Sequence, residues 1–412
     1  MKISIYGVSR AGKDYLIEKL VAKAEKLTHI KGSATLKMLS EENLGKPFSQ
    51  TSEEEKNLLR TAFIGYAEEI EKESGNIVID GHYAFPKNNG EYNVVFTAED
   101  RDFYDFYIYL KTPVERIIKN QKQPADKIVK QYSEEEIIGW QQFEIVQMQE
   151  VCKKIDKELI VLNGDTDTCI EFLLALISSP QEFQVMDIAR RIIDCNLSQI
   201  KDSHTIILTD CDKTLSVEDT GNHFCALANI DTEEIKNVYR GDYYSVFQSY
   251  RADSILLEGI TEDRYAEICR SCVQSAEINS NLIEDIKSHK GYFALGLTAG
   301  FTEIWSKIVE RFNLNISVSG KNYEGWSYYV SANVKYAVAK LLRQMGKFVI
   351  AVGDGILDLK MLEEADRGYV IAQSKLSGGV RNYFKNNNSK IMQLKYNQFK
   401  YAGIKEVSSI WE

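Results

Sequence analysis

The chain has 412 residues, 44% of them hydrophobic, which is ample for more than one packed core and suggests two or three domains. Its 60 acidic and 50 basic side chains leave a formal charge of −10, which repels a phosphate backbone at long range and weighs against extended nucleic acid as a partner. Seven scattered cysteines are no disulfide framework, no apolar run is long enough to span a membrane, and the opening MKISIYG lacks a signal-peptide pattern, so a cytoplasmic location is expected.

Taken in chain order, KISIYG (2–7) reads as a short apolar strand and DYLIEKLVAKAEKL (14–27) as a helix. NIVIDG (76–81), FYIYL (106–110) and ELIVLNG (158–164) read as further strands separated by helical stretches. FQVMDIARRIIDCNL (183–197) reads as a helix connecting two halves. The alternation then restarts, with strands at TIILTD (205–210), YFALGLT (292–298), FVIAVGD (348–354) and GYVIA (368–372). Short strands alternating with helices predict an α/β fold with two parallel, helix-covered sheets: one domain over 1–180, a helical connector at 181–203 and a second domain over 204–412. Cys269 and Cys272 form a lone CxxC in a helical stretch and read as ordinary thiols, since a zinc site needs two more ligands.

GVSRAGKD (7–14) lies directly between the first strand and the first helix and matches G-x-x-x-x-G-K. Glycines there let backbone N–H groups face an anion, the helix N-terminus adds partial positive charge, and Lys13 reaches outer phosphates. Gly7, Ser9, Arg10, Ala11, Gly12, Lys13 and Asp14 are therefore the candidate nucleotide-binding residues. Asp14 stands where Ser or Thr is usual, which removes a magnesium-ligating hydroxyl and adds negative charge. With NIVIDGHY (76–83), IYLKTPVERI (108–117) and VLNGD (161–165), residues 1–178 resemble the nucleoside-monophosphate-kinase branch of P-loop proteins. That resemblance implies ATP as phosphoryl donor, Asp80 facing the active site, and Arg116, Lys119 and Lys122 as phosphate contacts. His82 reads as a hydrogen-bonded structural residue rather than a catalyst.

In the second half, Asp210 ends an apolar strand in IILTDCDKTL (206–215) and Asp212 follows two residues on, so extended geometry sends both carboxylates the same way. One can act as nucleophile and the other as acid–base catalyst. A carboxylate attacking a phosphomonoester needs a divalent cation to offset like-charge repulsion, and oxygen-only ligands favour Mg2+. Asp354 and Asp358 in VGDGILD (352–358) supply further carboxylates, Thr298 in GLTAGF (296–301) a hydroxyl donor, and Lys335 a positive charge.

This ordered set resembles the haloacid dehalogenase superfamily over residues 204–375. The resemblance assigns catalysis to Asp210, Asp212, Thr298 and Lys335, with Lys340 a rival for the lysine role, and metal binding to Asp210, the backbone carbonyl of Asp212, Asp354 and Asp358. About 80 mostly helical residues between the first two motifs resemble the helical cap of the phosphoserine-phosphatase branch, placed at about 216–290 of this sequence. Glu218 or Asp219, and Arg251, fall near that branch's substrate-recognition positions. Leu357 replaces the branch's asparagine and the arginine spacing is shifted, so phosphoserine itself is not the expected substrate.

The combined expectation is a bifunctional phosphoryl-transfer enzyme acting on small phosphorylated molecules and ATP. Two alternatives stand beside it: a polynucleotide kinase-phosphatase, for which no basic cluster is visible, and a phosphatase regulated by a nucleotide-sensing P-loop domain. The aromatic clusters GDYYSVFQSY (241–250) and YEGWSYY (323–329) read as core and cap packing and do not separate these.

Overall fold

The structure is a computed structural model that describes residues 1–123, 130–241, 244–323, 329–371, 376–395 and 404–412. Parts of both aromatic clusters and the end of the 368–372 segment lie outside the described residues. The chain divides into two compact units, Met1–Pro180 and Gln181–Glu412.

The first unit has strands β1 (Lys2–Tyr6), β2 (Leu27–Lys31), β3 (Asn76–Gly81), β4 (Ala84–Pro86), β5 (Tyr92–Val94), β6 (Phe106–Leu110) and β7 (Leu159–Leu162). Five form a parallel sheet in the order β2-β3-β1-β6-β7, and β4 with β5 makes a small antiparallel pair. The sequence reading missed β2: its predicted first helix ran to residue 27, whereas the helix Lys13–Lys23 stops and Leu27 starts a strand. LTHIK alternates too briefly to announce itself; what makes it a strand is pairing with β3, Leu27 opposite Asn76 through Lys31 opposite Asp80. Neighbours β3 and β6 flank β1 on opposite sides, so the chain reverses its winding there and opens a crevice at the carboxyl end of β1.

The second unit has β8 (Thr205–Thr209), β9 (Tyr292–Phe301), β10 (Ser317–Lys321), β11 (Phe348–Gly353), β12 (Arg367–Val370), β13 (Met392–Leu394) and β14 (Glu406–Val407), all parallel in the order β10-β9-β8-β11-β12-β13-β14. Three of these, β10, β13 and β14, were not legible in the sequence. Burial on both faces explains the near-continuous apolar strands: Ile206 and Leu208 enter one hydrophobic layer and Ile207 the other. The helix Val185–Cys195, expected as a connector, puts Ile188, Ala189 and Ile192 into the first layer against the helix Ala332–Gln344 and is part of this unit's core.

Between β8 and β9 the chain makes a helical excursion through Thr220–Ala228, Thr232–Val238, Val246–Leu257 and Glu262–Ser275. Its outgoing and returning strands meet at an antiparallel bridge, Ser216 with Ile278, so the excursion closes near 278 rather than about 290. The helix Ser280–Lys287 beyond it buries Leu282 and Ile286 in the second layer. Cys269 and Cys272 are buried free thiols on the excursion's last helix.

Candidate active sites

At the carboxyl end of the second sheet, three strands and one helix deliver the predicted groups to one place. Asp210 follows β8, and its N–H donates to Val352 O of β11 at 2.9 Å, which aligns it with the Gly353–Asp354 turn. Ser331 caps the helix Ala332–Gln344 and sets Lys335 in its first turn. Lys335 Nζ lies 2.5 Å from Asp210 Oδ1 and 2.7 Å from Asp358 Oδ1, with the ammonium 2% exposed. Lys340, the rival lysine, instead lies over the Tyr336 ring, 5.9 Å from its centroid. Asp358 is held by the Gly355 N–H at 2.9 Å. A Cβ on Gly353 would sit 2.5 Å from Asp358 Cβ, so only glycine lets the turn fold the second carboxylate back under the first.

Carboxylate oxygens of Asp210, Asp354 and Asp358 all lie within 4.8 Å of one another. Three hard oxygen donors at this separation fit Mg2+ better than a soft-ligand metal. The electrostatics point the same way. Burial pushes the Asp210 carboxyl well up, Lys335 pulls it down, and Asp358 and Asp354 push it up again. Burial and then Asp358 raise Asp354 to about 7. Burial opposes the Lys335 charge, but Asp210 and Asp358 outweigh it and hold the amine protonated. One ammonium facing three carboxylates leaves the pocket short of positive charge.

Asp212 sits apart from this cluster. Its Oδ1 accepts from the Thr220 N–H at 2.6 Å and the Thr220 hydroxyl at 2.7 Å, and its Oδ2 from Trp305 Nε1 at 3.2 Å and the Thr298 hydroxyl at 3.4 Å. Burial, then Asp219, raises its carboxyl above the usual range, toward the protonated form a general acid needs. Thr298, 1% exposed, accepts from the Gly300 N–H at 2.8 Å, which fixes its hydroxyl near the end of β9, three residues before the strand ends at Phe301. Thr220 and Trp305 were not foreseen. The only hint was the helix start after Asp219, whose side chain caps Asn222.

The three cap candidates do not form a recognition set. Glu218 is exposed, Asp219 pairs with Lys213 at 2.8 Å, and the Arg251 guanidinium lies 5.8 Å from the Phe247 ring centroid. The inward charge on that helix is Asp253, two residues on, paired with Lys321 at the end of β10.

In the first unit, the crevice after β1 is a cleft of about 670 Å3. Ser9, Arg10, Ala11, Gly12, Lys13 and Asp14 line it with Asp80, His82 and Arg116, while Lys119 and Lys122 are outside its lining. Gly7 at the base of the loop packs against β6, where an added Cβ would meet Leu110 O at 3.0 Å. Gly12, at φ 92°, starts the helix Lys13–Lys23, and no side chain caps that end. Lys13 Nζ lies 2.6 Å from Gly7 O and 3.3 Å from Val8 O, tucked against the loop. Burial lowers the Lys13 amine, and Glu144, Asp80 and Asp14 oppose that.

Donor atoms of Asp14, His29 and Asp80 lie within 4.8 Å of one another, so a carboxylate at the usual hydroxyl position faces a second carboxylate. His29 Nε2 lies 2.9 Å from Asp80 Oδ1, and the Gly32 N–H donates to the same oxygen at 3.2 Å. Burial favours a protonated Asp80, but its hydrogen bond and charge interaction with His29 outweigh that and hold the carboxyl below its ordinary value. His82 is half-buried, its Nδ1 has no hydrogen-bond partner among the described residues, and burial, then Lys13, keeps the ring neutral. Glu144, on the helix Glu134–Lys154, was not foreseen. It is fully buried and accepts from the Tyr83 and Ala84 N–H groups at 3.2 and 3.0 Å and the Tyr109 hydroxyl at 2.8 Å, anchoring the segment that carries His82.

Residues 6–138 match a family model described as an AAA domain. No curated protein matches the chain. Similar solved structures include a haloacid dehalogenase-family hydrolase from Salmonella enterica subsp. enterica serovar Typhi, 18% identical, covering 51% of this chain and 76% of that one, with a TM-score of 0.36. A phosphoserine phosphatase in its apo form is 20% identical over 45% of this chain and 92% of its own, TM-score 0.34. A sugar kinase from Janibacter sp. HTCC2649 is 14% identical over 43% and 94%, TM-score 0.29. Over residues 6–138 the chain thus matches the AAA-domain model, and the solved structures it is similar to include haloacid dehalogenase-family hydrolases. At this level of similarity the geometry of the two sites has to carry the chemistry.

Proposed function

We propose that the chain is a two-site phosphoryl-transfer enzyme. Its second unit hydrolyses a small phosphomonoester through an aspartyl-phosphate, and its first unit binds ATP and transfers a phosphoryl group to a nucleotide or similar small molecule. The observation that carries the first part is the convergence of Asp210, Asp354 and Asp358, beyond neighbouring strands, on Lys335 of the helix Ala332–Gln344. An Asp210 oxygen attacks phosphorus, the bond to the leaving oxygen breaks, and Asp212 supplies that oxygen's proton. Asp212 then takes a proton from water, which attacks the same phosphorus and frees Asp210 and inorganic phosphate. Lys335 and the Thr298 hydroxyl hold the transferring oxygens. Asp210, Asp354 and Asp358, with the Asp212 backbone carbonyl, would hold Mg2+, which supplies positive charge against the anionic ester. Supporting the kinase side are the glycine loop at the sheet's switch point, the uncapped helix end and Lys13 lining a nucleotide-sized cleft.

The test is phosphate release from p-nitrophenyl phosphate, nucleotides, sugar phosphates, phospho-amino acids and end-phosphorylated oligonucleotides, with and without ATP. Asp210→Asn is expected to abolish release with the fold kept, because one attacking oxygen becomes an amide. Wild-type turnover in that variant would remove Asp210 as nucleophile, and preference for oligonucleotides would favour an end-processing enzyme.

A further inference from the structure

In-line displacement puts the leaving oxygen opposite Asp210, beside Asp212, and Asp212 is held by Thr220 at the start of the first cap helix. The leaving group therefore emerges toward the cap. On that side the helix Val246–Leu257 buries Asp253, and its carboxylate pairs with the equally buried Lys321. Lys321 ends β10 and so shares the carboxyl edge of the sheet with Asp210, Thr298 and Asp354. The β10 backbone beside Lys321 packs on Thr298. A Cβ on the adjoining Gly320 would lie 2.7 Å from Thr298 Cγ2, and Lys321 stands opposite Phe301 in the β9–β10 register. The Lys321 ammonium is 4.3 Å from the Phe301 ring centroid, and that ring packs on Phe224 and Tyr265 of the cap.

An Asp–Lys pair in this position discriminates by charge. A hydroxyl-rich, uncharged leaving group can donate to Asp253 or accept from Lys321 while the two stay together. A leaving group carrying a carboxylate meets Asp253 at short range and can reach Lys321 only by breaking the pair, which leaves a carboxylate buried without its partner. Resting on the phosphatase reading above, we propose that Asp253 and Lys321 are specificity-determining residues that select neutral, hydroxyl-bearing leaving groups, those of sugar or nucleoside monophosphates, over carboxylate-bearing ones such as phosphoserine.

The test measures kcat/KM for phosphate release by the full chain with Mg2+, using a hexose monophosphate, a nucleoside 5′-monophosphate, phosphoserine, phosphoglycolate and p-nitrophenyl phosphate. At least one neutral polyol ester is expected to exceed both carboxylated esters by about tenfold or more, and the two polyol arms tell sugar from nucleoside. Asp253→Asn is expected to shrink that ratio by about tenfold, a change that a purely structural clasp would not produce. Should Asp253→Asn fail to fold, the double variant Asp253→Asn/Lys321→Met, which leaves no unpaired buried charge, reports the same ratio. Wild-type preference for the carboxylated esters, or a ratio unmoved in folded variants, overturns the proposal while the phosphatase reading stands. No release from any ester, p-nitrophenyl phosphate included, takes down both.

Discussion

Thr220 donates twice to a single oxygen of Asp212, through its backbone N–H at 2.6 Å and its hydroxyl at 2.7 Å. The first turn of the cap is thereby tied to the proposed acid–base catalyst. The hydroxyl bond favours the Asp212 carboxylate, so removing it should raise the carboxyl further. Thr220→Val is therefore expected to move the alkaline limb of kcat/KM to higher pH, since the proton needed for the first step is retained longer. The loss of orientation should cost about tenfold in rate with poor leaving groups and little with p-nitrophenol. A pH–rate profile with two leaving groups checks both, and an unmoved limb would remove Asp212 from the first step.

Mg2+ affinity should depend on pH through Asp354. Burial, then Asp358, pushes its carboxyl up to about 7, above the ordinary carboxylate value of 3.8. Burial of the neutral acid is thus a stabilising contribution, fully present at low pH and lost as pH rises through about 7. A cation needs the carboxylate, so binding releases a proton below that point and releases none above it. The melting-temperature increase produced by a fixed Mg2+ concentration is expected to be larger at pH 8 than at pH 6. Equal increases would argue that Asp354 is not a ligand.

Lys335→Met should be among the most damaging single changes in the second unit. It leaves Asp210 and Asp358 buried without their shared ammonium. A broken buried pair of this kind costs about 3–5 kcal/mol. Urea unfolding in EDTA should show that loss, and Mg2+ should restore part of it by standing in as counter-charge. A variant as stable as wild type in EDTA would mean the carboxylates are already protonated there.

Lys13→Ala should abolish ATP consumption while phosphate release by the second unit continues, because Lys13 bonds the carbonyls of its own loop, Gly7 and Val8, and lines the first unit's cleft. Parallel assays of ATP hydrolysis and ester hydrolysis decide this. Loss of both activities would reveal coupling between the units.

Much of the chemistry was written locally. A run of apolar residues ending at Asp210 or Gly353 fixes where a strand stops, whereas β9 runs on past Thr298 to Phe301, and groups near strand ends gather on one edge of a parallel sheet whatever the order of the strands. The glycine loop after β1 is legible for the same reason, since strand, turn and helix are contiguous. The residues that the structure gathers at each of the two sheet edges, Lys13 in one and Asp210 with Lys335 in the other, could therefore be picked out from the sequence. What it lacked were partners brought together by packing. Strand β2 exists because β3 pairs with it, β10 because β9 does, and LTHIK or SVSGK alone carries too little pattern to say so. Glu144 meets Tyr83 across 61 residues, Trp305 meets Asp212 across 93, and Lys321 meets Asp253 across 68. Such contacts depend on how helices lie over a sheet edge, which spacing along the chain does not encode. On the helix Val246–Leu257 it is packing that pairs Asp253 with Lys321, a contact the sequence of that helix does not announce.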